Sequence, residues 1–241
     1  MKILFLYHDL MNLYGENGNV RVMQRHISDQ GQSAQVECRT VGDELDFSQY
    51  AFIYAGSGTE RNQKKALGHL LKYRDSFLAA VDEGTPVLFT GNAWEMLGRE
   101  ITDGDGNRFE GLSLMPFVTR ESSDERYTGD AVCTPALTEL SRPVVGFVNK
   151  CSVVTGADNP LFNMQMGYGN DNSTPGEGVR INNLFGTHLI GPILAKNPEF
   201  ANFMLGLVGK KEGFHVSPRT YEYEERAYEV TLSELQKRIN G

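Results

Sequence analysis

Short apolar runs alternate with stretches of helical periodicity in the first part of the chain. The opening run KILFLYH, residues 2–8, is bounded by polar residues, which is typical of a strand buried on both faces. The same pattern predicts strands at Ala34–Val41, Ala51–Ala55 and Pro86–Thr90. Apolar residues at helical spacing predict a helix that ends near Gly31 and a long helix from Arg61 to Gly84. The buried face of the long helix is expected to carry Leu67, Leu70, Leu71, Leu78 and Val81. This alternation predicts a doubly wound, parallel α/β sheet with helices on both faces.

The second half of the chain has a different pattern. Strand-like runs follow one another with little helix between them, at Leu112–Val118, Gly129–Cys133, Val144–Val148 and Leu184–Ile190. The turn DGDGN at residues 103–107 favours a hairpin. We therefore expect mixed or antiparallel sheet in this half. The chain is then expected to close with helices at Pro198–Val208 and Glu222–Ile239.

Charge and cysteine content argue against several classes of protein. The chain has 23 Lys and Arg against 31 Asp and Glu, and its net charge of −8 disfavours nucleic acid and anionic membrane surfaces. Its three cysteines, Cys38, Cys133 and Cys151, are scattered without the spacing of a disulfide framework or a zinc site. The sequence contains no apolar run of about 18 residues. We expect a cytoplasmic protein without membrane insertion.

One turn is more informative than the other candidate sites. The glycines at 15–18 and 56–58 lack the spacing of phosphate-binding loops, and DGDGN lacks the spacing of a calcium loop. The five histidines lack metal-ligand spacing. By contrast, the strand Pro86–Thr90, the tight turn after it and the helical segment WEMLG follow one another as in a nucleophile elbow. The residue at the centre of that turn is Gly91, which has no side chain.

Several motifs match a known family in their order and spacing. They are Asn12–Gly15 with Gly18 and Asn19, Gly56–Gly58 with Arg61 and Gln63, the elbow ending at Leu97 and Gly98, Glu110–Leu112, Arg126–Asp130, Gly146 and Phe147 with Asn149, Gly167–Asn170 and Gly186–Asn197. Over residues 1–210 the chain resembles class I glutamine amidotransferases of the CobB/CobQ-like type. Among these it is similar to the glutaminase subunits of lipid II isoglutaminyl synthase. The resemblance implies a flavodoxin-like α/β fold with a central, mostly parallel sheet.

The resemblance also implies which residues form the site. In this family a cysteine at the elbow attacks the side-chain amide of glutamine, and a histidine in a late GTxLHGP string transfers the proton. These positions fall on Gly91 and Ile190, so the resemblance implies that glutaminase chemistry is lost. It further implies that Arg126 contacts the carboxylate of glutamine. The remaining pocket residues that it implies are Gly56, Ser57, Gly58 and Asn92, the first three as donors of oxyanion-hole amides. No cofactor and no metal is implied.

Two residues are candidates for relocated catalytic groups. Strand alternation places His188 on the same face as Ile190, about 6.5 Å away. Cys151 follows Asn149 and Lys150 in a loop region and is a second candidate. An active glutaminase that uses these residues is therefore one alternative. A module that binds and senses glutamine through Arg126 is another.

The resemblance implies a partner as well. The chain is expected to form a heterodimer with a Mur-ligase-like, ATP-dependent synthetase that amidates the D-glutamate of lipid II in peptidoglycan synthesis. The expected role is structural or regulatory, with nitrogen supplied by free ammonia or by another protein. No repeat or linker marks a domain boundary, so residues 1–210 are expected to form the amidotransferase-like domain. Residues 211–241 are expected to be its C-terminal helical extension.

Overall fold

The computed structural model describes residues 1–171 and 173–241. The strands are β1 (Lys2–Leu6), β2 (Gln35–Arg39), β3 (Phe52–Ala55), β4 (Val87–Thr90), β5 (Glu100–Thr102), β6 (Arg108–Glu110), β7 (Val118–Glu121), β8 (Tyr127–Pro135), β9 (Val144–Lys150), β10 (Ser152–Thr155), β11 (Phe162–Met166), β12 (Gly176–Glu177), β13 (Val179–Ile181) and β14 (Leu184–Thr187). The helices are α1 (Asn17–Asp29), α2 (Glu60–Leu70), α3 (Arg74–Asp82), α4 (Ile193–Lys196), α5 (Pro198–Glu212) and α6 (Glu222–Asn240). Short 3-10 segments are Phe47–Gln49, Leu71–Tyr73 and Gly91–Leu97.

A six-stranded sheet forms the centre of the fold. Its strand order is β13-β14-β4-β3-β1-β2, and every neighbouring pair is parallel except β13 with β14. The five parallel strands have the order of a flavodoxin-like fold. All residues of β3, β4 and β14 are buried, which explains why these strands are continuous apolar runs. The predicted fold class is confirmed.

Helices cover both faces of this sheet. Successive residues of β3 point to opposite faces, with Ile53 packed on the side of α2 and α3 and Phe52 packed on the side of α1 and α5. On the first face, α2 and α3 contribute Leu67, Leu70 and Phe77. On the second, α1 and α5 contribute Met23, Ile27, Phe200 and Met204. The carboxyl ends of the parallel strands remain at one edge, where the connecting loops meet.

The second half adds two four-stranded sheets. One has the order β10-β7-β5-β6 and contains one parallel pair, while the other has the order β12-β11-β8-β9 and is antiparallel throughout. The predicted mixed character of this half is confirmed. Only Cys151 separates β9 from β10, so one segment of chain runs from one of these sheets into the other. The predicted DGDGN hairpin joins β5 to β6.

The C-terminal helix α6 packs on the outside of the antiparallel sheet. Tyr228 and Leu235 of this helix contact Val132 and Val145 of the sheet. The predicted boundary at residue 210 falls inside α5, and the division into 1–210 and 211–241 stays a prediction. Among the described residues, no helix has the length and apolar character needed to cross a membrane.

The expected long helix from Arg61 is wrong because the structure divides it into two helices. Tyr73, the last residue of the 3-10 segment, has φ −116° and ψ 16° and so leaves helical geometry before α3. After the break, Phe77 is fully buried, whereas the expected core residue Leu78 is only partly buried. Two shorter helices therefore cover the face that one helix was expected to cover.

Two expected strands also differ from the structure. Residues 112–117 form no strand, because the amides of Leu112 and Leu114 donate to the carbonyls of Met96 and Leu97 rather than to a neighbouring strand. The strand expected at Leu184–Ile190 ends at Thr187. Its continuation is diverted because the amide of His188 donates to a buried carboxylate oxygen of Glu177, 2.6 Å away.

Candidate functional site

A cavity opens at the carboxyl edge of the parallel strands. Its volume is about 240 Å3. It is lined by Leu13, Tyr14, Ser57–Glu60, Asn92, Glu95, Glu121, Arg126 and Asn149–Ser152. Ligands of doubly wound α/β proteins bind at this edge, so the cavity is the candidate site. A wider cleft of about 730 Å3 adjoins it and shares Glu60, Glu121, Arg126 and Cys151 as lining residues.

The predicted elbow is present at the end of β4. Thr90 is extended, and Gly91 then turns the chain with φ +58° into the 3-10 segment Gly91–Leu97. Only glycine adopts this left-handed conformation at little cost, and a nucleophile elbow holds its nucleophile on such a strained turn. The backbone geometry of the elbow is therefore retained, although residue 91 has no side chain.

The side chain of Ser57 fills the space above Gly91. A Cβ atom at residue 91 would overlap the Oγ of Ser57 and lie 2.7 Å from its Cβ. The next contact would be Cγ2 of Ile190, at 3.3 Å. The structure thus brings together residues 91 and 190, the two positions to which the resemblance assigns the cysteine and the histidine of the family. The hydroxyl group of Ser57 occupies the space that a cysteine side chain at residue 91 would need.

A buried carboxylate lies beside this position. Glu16 is fully buried, and its oxygens accept hydrogen bonds from Oγ1 of Thr90 and from the amide of Ser57, each at 2.5 Å. The hydroxyl of Tyr54 is 2.7 Å from Oγ1 of Thr90 and accepts a hydrogen bond from Asn19. Burial raises the pKa of Glu16, despite these donors. Sequence reasoning missed Glu16, although a charged residue inside the loop NLYGENGN after β1 was an available signal.

The predicted oxyanion-hole amides already have acceptors. The amide of Ser57 donates to Glu16, and the amide of Gly58 donates to Oδ1 of Asn92 at 3.0 Å. Asn92 also donates through Nδ2 to the carbonyl of Gly58 at 3.0 Å. Gly56 lies so close to the loop after β1 that an added Cβ would be 2.8 Å from the carbonyl oxygen of Met11. An oxyanion hole needs free donors, and the Ser57 and Gly58 amides are not free in this arrangement.

His188 lies outside the pocket. It is 1% exposed, its Nε2 is 3.1 Å from Oε1 of Glu95, and its Nδ1 is 3.6 Å from Oε1 of Glu177. Its ring packs edge-on against Trp94 with 4.8 Å between the centroids. The expected placement of His188 on the face of Ile190 is wrong, because the strand ends at Thr187 and alternation no longer applies.

Glu95 connects His188 to the wall of the pocket. Besides His188, it accepts hydrogen bonds from Oγ of Ser152 at 2.5 Å and from Nε2 of Gln63 at 2.8 Å. Burial on its own raises the pKa of Glu95, but the hydrogen bonds and the nearby imidazole outweigh it and the pKa is lowered. The cluster therefore joins α2, the elbow segment and β10 below the pocket.

The thiol of Cys151 is not activated. Its Sγ donates to Oε1 of Glu60 at 3.2 Å, and burial together with this carboxylate raises its pKa to about 12. Thiolate is therefore scarce at neutral pH. Cys38 is exposed, and Cys133 contacts Met164. Within residues 1–171 and 173–241, no cysteine is hydrogen-bonded to a histidine, so nothing supports a relocated thiol–imidazole pair.

Arg126 lies at the rim of the pocket and pairs with groups of the same chain. Its Nη2 donates to Oε1 of Glu60 at 2.7 Å, and its Nη1 donates to Oδ1 of Asn149 at 2.9 Å. Its predicted contact with a glutamine carboxylate stays a prediction.

Deeper in the wall of the pocket, Lys150 is 4% exposed and donates to the carbonyls of Gly169 and Asn170. Burial lowers the pKa of Lys150 to about 8, a perturbation that the sequence did not indicate.

Two curated proteins align with almost the whole chain. The subunit GatD of the glutamine-hydrolyzing lipid II isoglutaminyl synthase of Staphylococcus aureus is 29% identical over 93% of this chain and 92% of its own. The corresponding GatD subunit of Streptococcus pneumoniae is 28% identical over 92% of this chain and 86% of its own.

Solved structures and a family profile agree with the fold. A glutamine amidotransferase and PurLQS, both from Thermotoga maritima, each superpose with a TM-score of 0.52 at 13% identity. The alignments cover 99% of this chain and 97% of the former, and 96% of this chain and 98% of the latter. The CobB/CobQ-like glutamine amidotransferase domain matches residues 2–198. Together with the elbow geometry, this match shows that the chain belongs to the CobB/CobQ-like glutamine amidotransferase family.

Proposed function

We propose that this chain is an amidotransferase-like subunit that does not hydrolyse glutamine. It acts beside a Mur-ligase-like, ATP-dependent synthetase that amidates the D-glutamate of lipid II in peptidoglycan synthesis. The names and the nearly full-length alignments of the two GatD relatives support this assignment. The proposed place of action is the cytoplasm, where the free thiols of Cys38, Cys133 and Cys151 are stable.

One observation carries the loss of hydrolysis. At the retained elbow, Gly91 has no side chain, its neighbour Ile190 has no titratable group, and Ser57 fills the space between them. Hydrolysis in this family needs a thiolate to form a thioester and a base to move the proton. Cys151 is hydrogen-bonded to Glu60 and His188 to Glu95, which supports the proposal that these candidate groups do not replace them. The nitrogen for the partner would then come from free ammonia or from another protein.

We expect no useful release of ammonia from glutamine by the purified chain, alone or with its synthetase partner. The physical reason is that no thioester can form at Gly91, and covalent catalysis supplies most of the rate in such enzymes. Glutamate and ammonia would be measured with glutamine in excess. The Staphylococcus aureus GatD named above, assayed with its own partner, is the positive control. A turnover on the order of once per second would contradict the proposal. Failure to co-purify any Mur-ligase-like protein from the native cell would contradict the partner assignment.

A second candidate function is favoured by the pocket itself. The cavity of about 240 Å3 remains open beside Arg126, so the chain could bind glutamine as a sensor without hydrolysing it. We expect calorimetry to detect glutamine binding that is lost in Arg126→Ala, because the guanidinium would hold the ligand carboxylate. The absence of measurable heat in both proteins, at millimolar glutamine, would remove this candidate.

A further inference from the structure

Glu60 stands between the pocket and the cleft that adjoins it. It is the first residue of α2 and follows the N-cap Thr59, whose side chain accepts from the amide of Asn62. A single oxygen, Oε1 of Glu60, accepts from Nη2 of Arg126 at 2.7 Å and from Sγ of Cys151 at 3.2 Å. Glu60, Arg126 and Cys151 line both cavities. The carboxylate of Glu60 is therefore paired with the guanidinium of Arg126 at the mouth of the pocket.

The ion pair between Glu60 and Arg126 is weak enough to be exchanged. The Arg126 side chain is 46% exposed and the Glu60 side chain is 38% exposed, and pairs exposed to this extent contribute about 1 kcal/mol or less. A guanidinium binds any carboxylate with the same planar geometry. A ligand with a free carboxylate can therefore compete with Glu60 for Arg126 without breaking a buried bond.

The negative charge of the pocket repels a ligand carboxylate as long as Glu60 remains paired with Arg126. Three carboxylates, Glu60, Glu95 and Glu121, line the cavity beside two cations, Arg126 and Lys150. Glu95 is held by His188, Ser152 and Gln63, and Glu121 pairs with Lys64, so both have partners of their own. Glu60 is the carboxylate whose partner is Arg126. Its displacement would free the guanidinium for an incoming anion.

We propose that Glu60 is a carboxylate latch, which holds Arg126 until a small amino acid with a free carboxylate displaces it and exposes the thiol of Cys151. This inference rests on the pocket being retained for ligand binding, the second candidate function above. The cavity of about 240 Å3 is many times larger than the space that one water needs and is lined by charged and polar groups, which suits one amino acid. Cys151 reports the state of the latch because Glu60 accepts its hydrogen bond.

Glu60→Gln tests the latch without changing the shape of the side chain. We expect glutamine to bind up to about fivefold more tightly in this variant, since an exposed ion pair that contributes about 1 kcal/mol or less corresponds to at most that factor. We also expect iodoacetamide to alkylate Cys151 several-fold faster, because the carboxylate that favours the neutral thiol is gone. Asp124→Asn is the matched control, since Asp124 lines the adjoining cleft but forms neither the hydrogen bonds nor the ion pair of Arg126.

A second experiment uses the native chain and compares two ligands that differ only in the free carboxylate. L-glutamine should accelerate alkylation of Cys151, whereas L-glutamine amide, which lacks the free carboxylate, should not. The exposed Cys38 provides the internal reference, because its alkylation should be the same with either compound. Peptide mass spectrometry separates the two cysteines in one sample.

Two results would overturn the latch. One is that Glu60→Gln leaves both the affinity for glutamine and the alkylation of Cys151 within about twofold of the Asp124→Asn control. The other is that L-glutamine and its amide change the alkylation of native Cys151 equally, or that neither changes it. These measurements use the isolated chain and no ammonia assay. The latch can therefore fail while the non-hydrolysing role in the synthetase complex stands, and the reverse also holds.

Discussion

Gly91→Ala is expected to lower the free energy of unfolding by about 2–5 kcal/mol, as measured by equilibrium denaturation in urea. The left-handed backbone at residue 91 costs an alanine about 1–2 kcal/mol. The new Cβ would also overlap the hydroxyl of Ser57, and overpacking of a filled site costs about 1–3 kcal/mol. The two costs add because one arises from the backbone and the other from the neighbouring side chain.

Gly31→Ala separates these two costs. Gly31 has a comparable φ of +76°, and an added Cβ would meet nothing within 4 Å, so only the backbone cost of about 1–2 kcal/mol is expected there. Ser57→Gly combined with Gly91→Ala should recover the overlap cost, because the hydroxyl that opposes the new methyl group is removed. Equal destabilisation by Gly91→Ala and Gly31→Ala would show that Ser57 does not fill the site.

His188→Ala is expected to destabilise the chain by about 2–4 kcal/mol, because it removes a fully buried hydrogen-bond partner of the Glu95 carboxylate and leaves a cavity beside Trp94. It leaves the carboxylates of Glu95 and Glu177 buried without their shared imidazole. Glu234→Ala is the control, because the pair of Glu234 with Lys237 is 59% and 67% exposed and solvent screens it, so that its loss should leave stability nearly unchanged. Comparable effects of the two substitutions on urea denaturation would contradict the buried network.

The hydrogen bonds of Glu95 make the free energy of unfolding depend on pH in the acidic range. The hydrogen bonds to Glu95 lower its pKa below the ordinary value of 4.5 in spite of burial, so the unfolded chain binds this proton at higher pH than the folded chain. The stabilisation is therefore complete above about pH 5 and is lost as the pH falls through the lowered pKa of the folded state. Native protein should lose stability more steeply than Glu95→Gln over this range. Parallel curves would show that Glu95 is not held in its charged form.

Local pattern was sufficient for most of the fold and for the elbow. Apolar runs identified β1, β3 and β4, and strand, turn and helix in succession identified Gly91 at its centre. The resemblance then placed Ile190 opposite Gly91, and the structure has these two residues adjacent. These features depend on periodicity and on motif order, both of which can be read along the chain.

The features that could not be predicted depend on contacts between distant segments. Ser57 fills the space above Gly91, and its amide donates to Glu16, a residue 41 positions earlier in the chain. His188 was misplaced because Glu177, which diverts its backbone, belongs to a different strand and gives no periodic signal. The break of the helix at Tyr73 could not be predicted because no glycine or proline marks it, and the core contains Phe77 rather than Leu78.

The backbone bridge at Ile190 makes residues 91 and 190 differ in how freely their side chains can be exchanged. Its amide donates to the carbonyl of Phe147 at 2.9 Å and its carbonyl accepts from the amide of Phe147 at 3.3 Å, bonds that do not depend on the side chain. A substitution at residue 190 can therefore leave these two bonds intact. A side chain at residue 91 would instead overlap the hydroxyl of Ser57. Engineering a nucleophile at residue 91 would thus require a second change at Ser57, whereas engineering a base at residue 190 would not require a change in the backbone bridge.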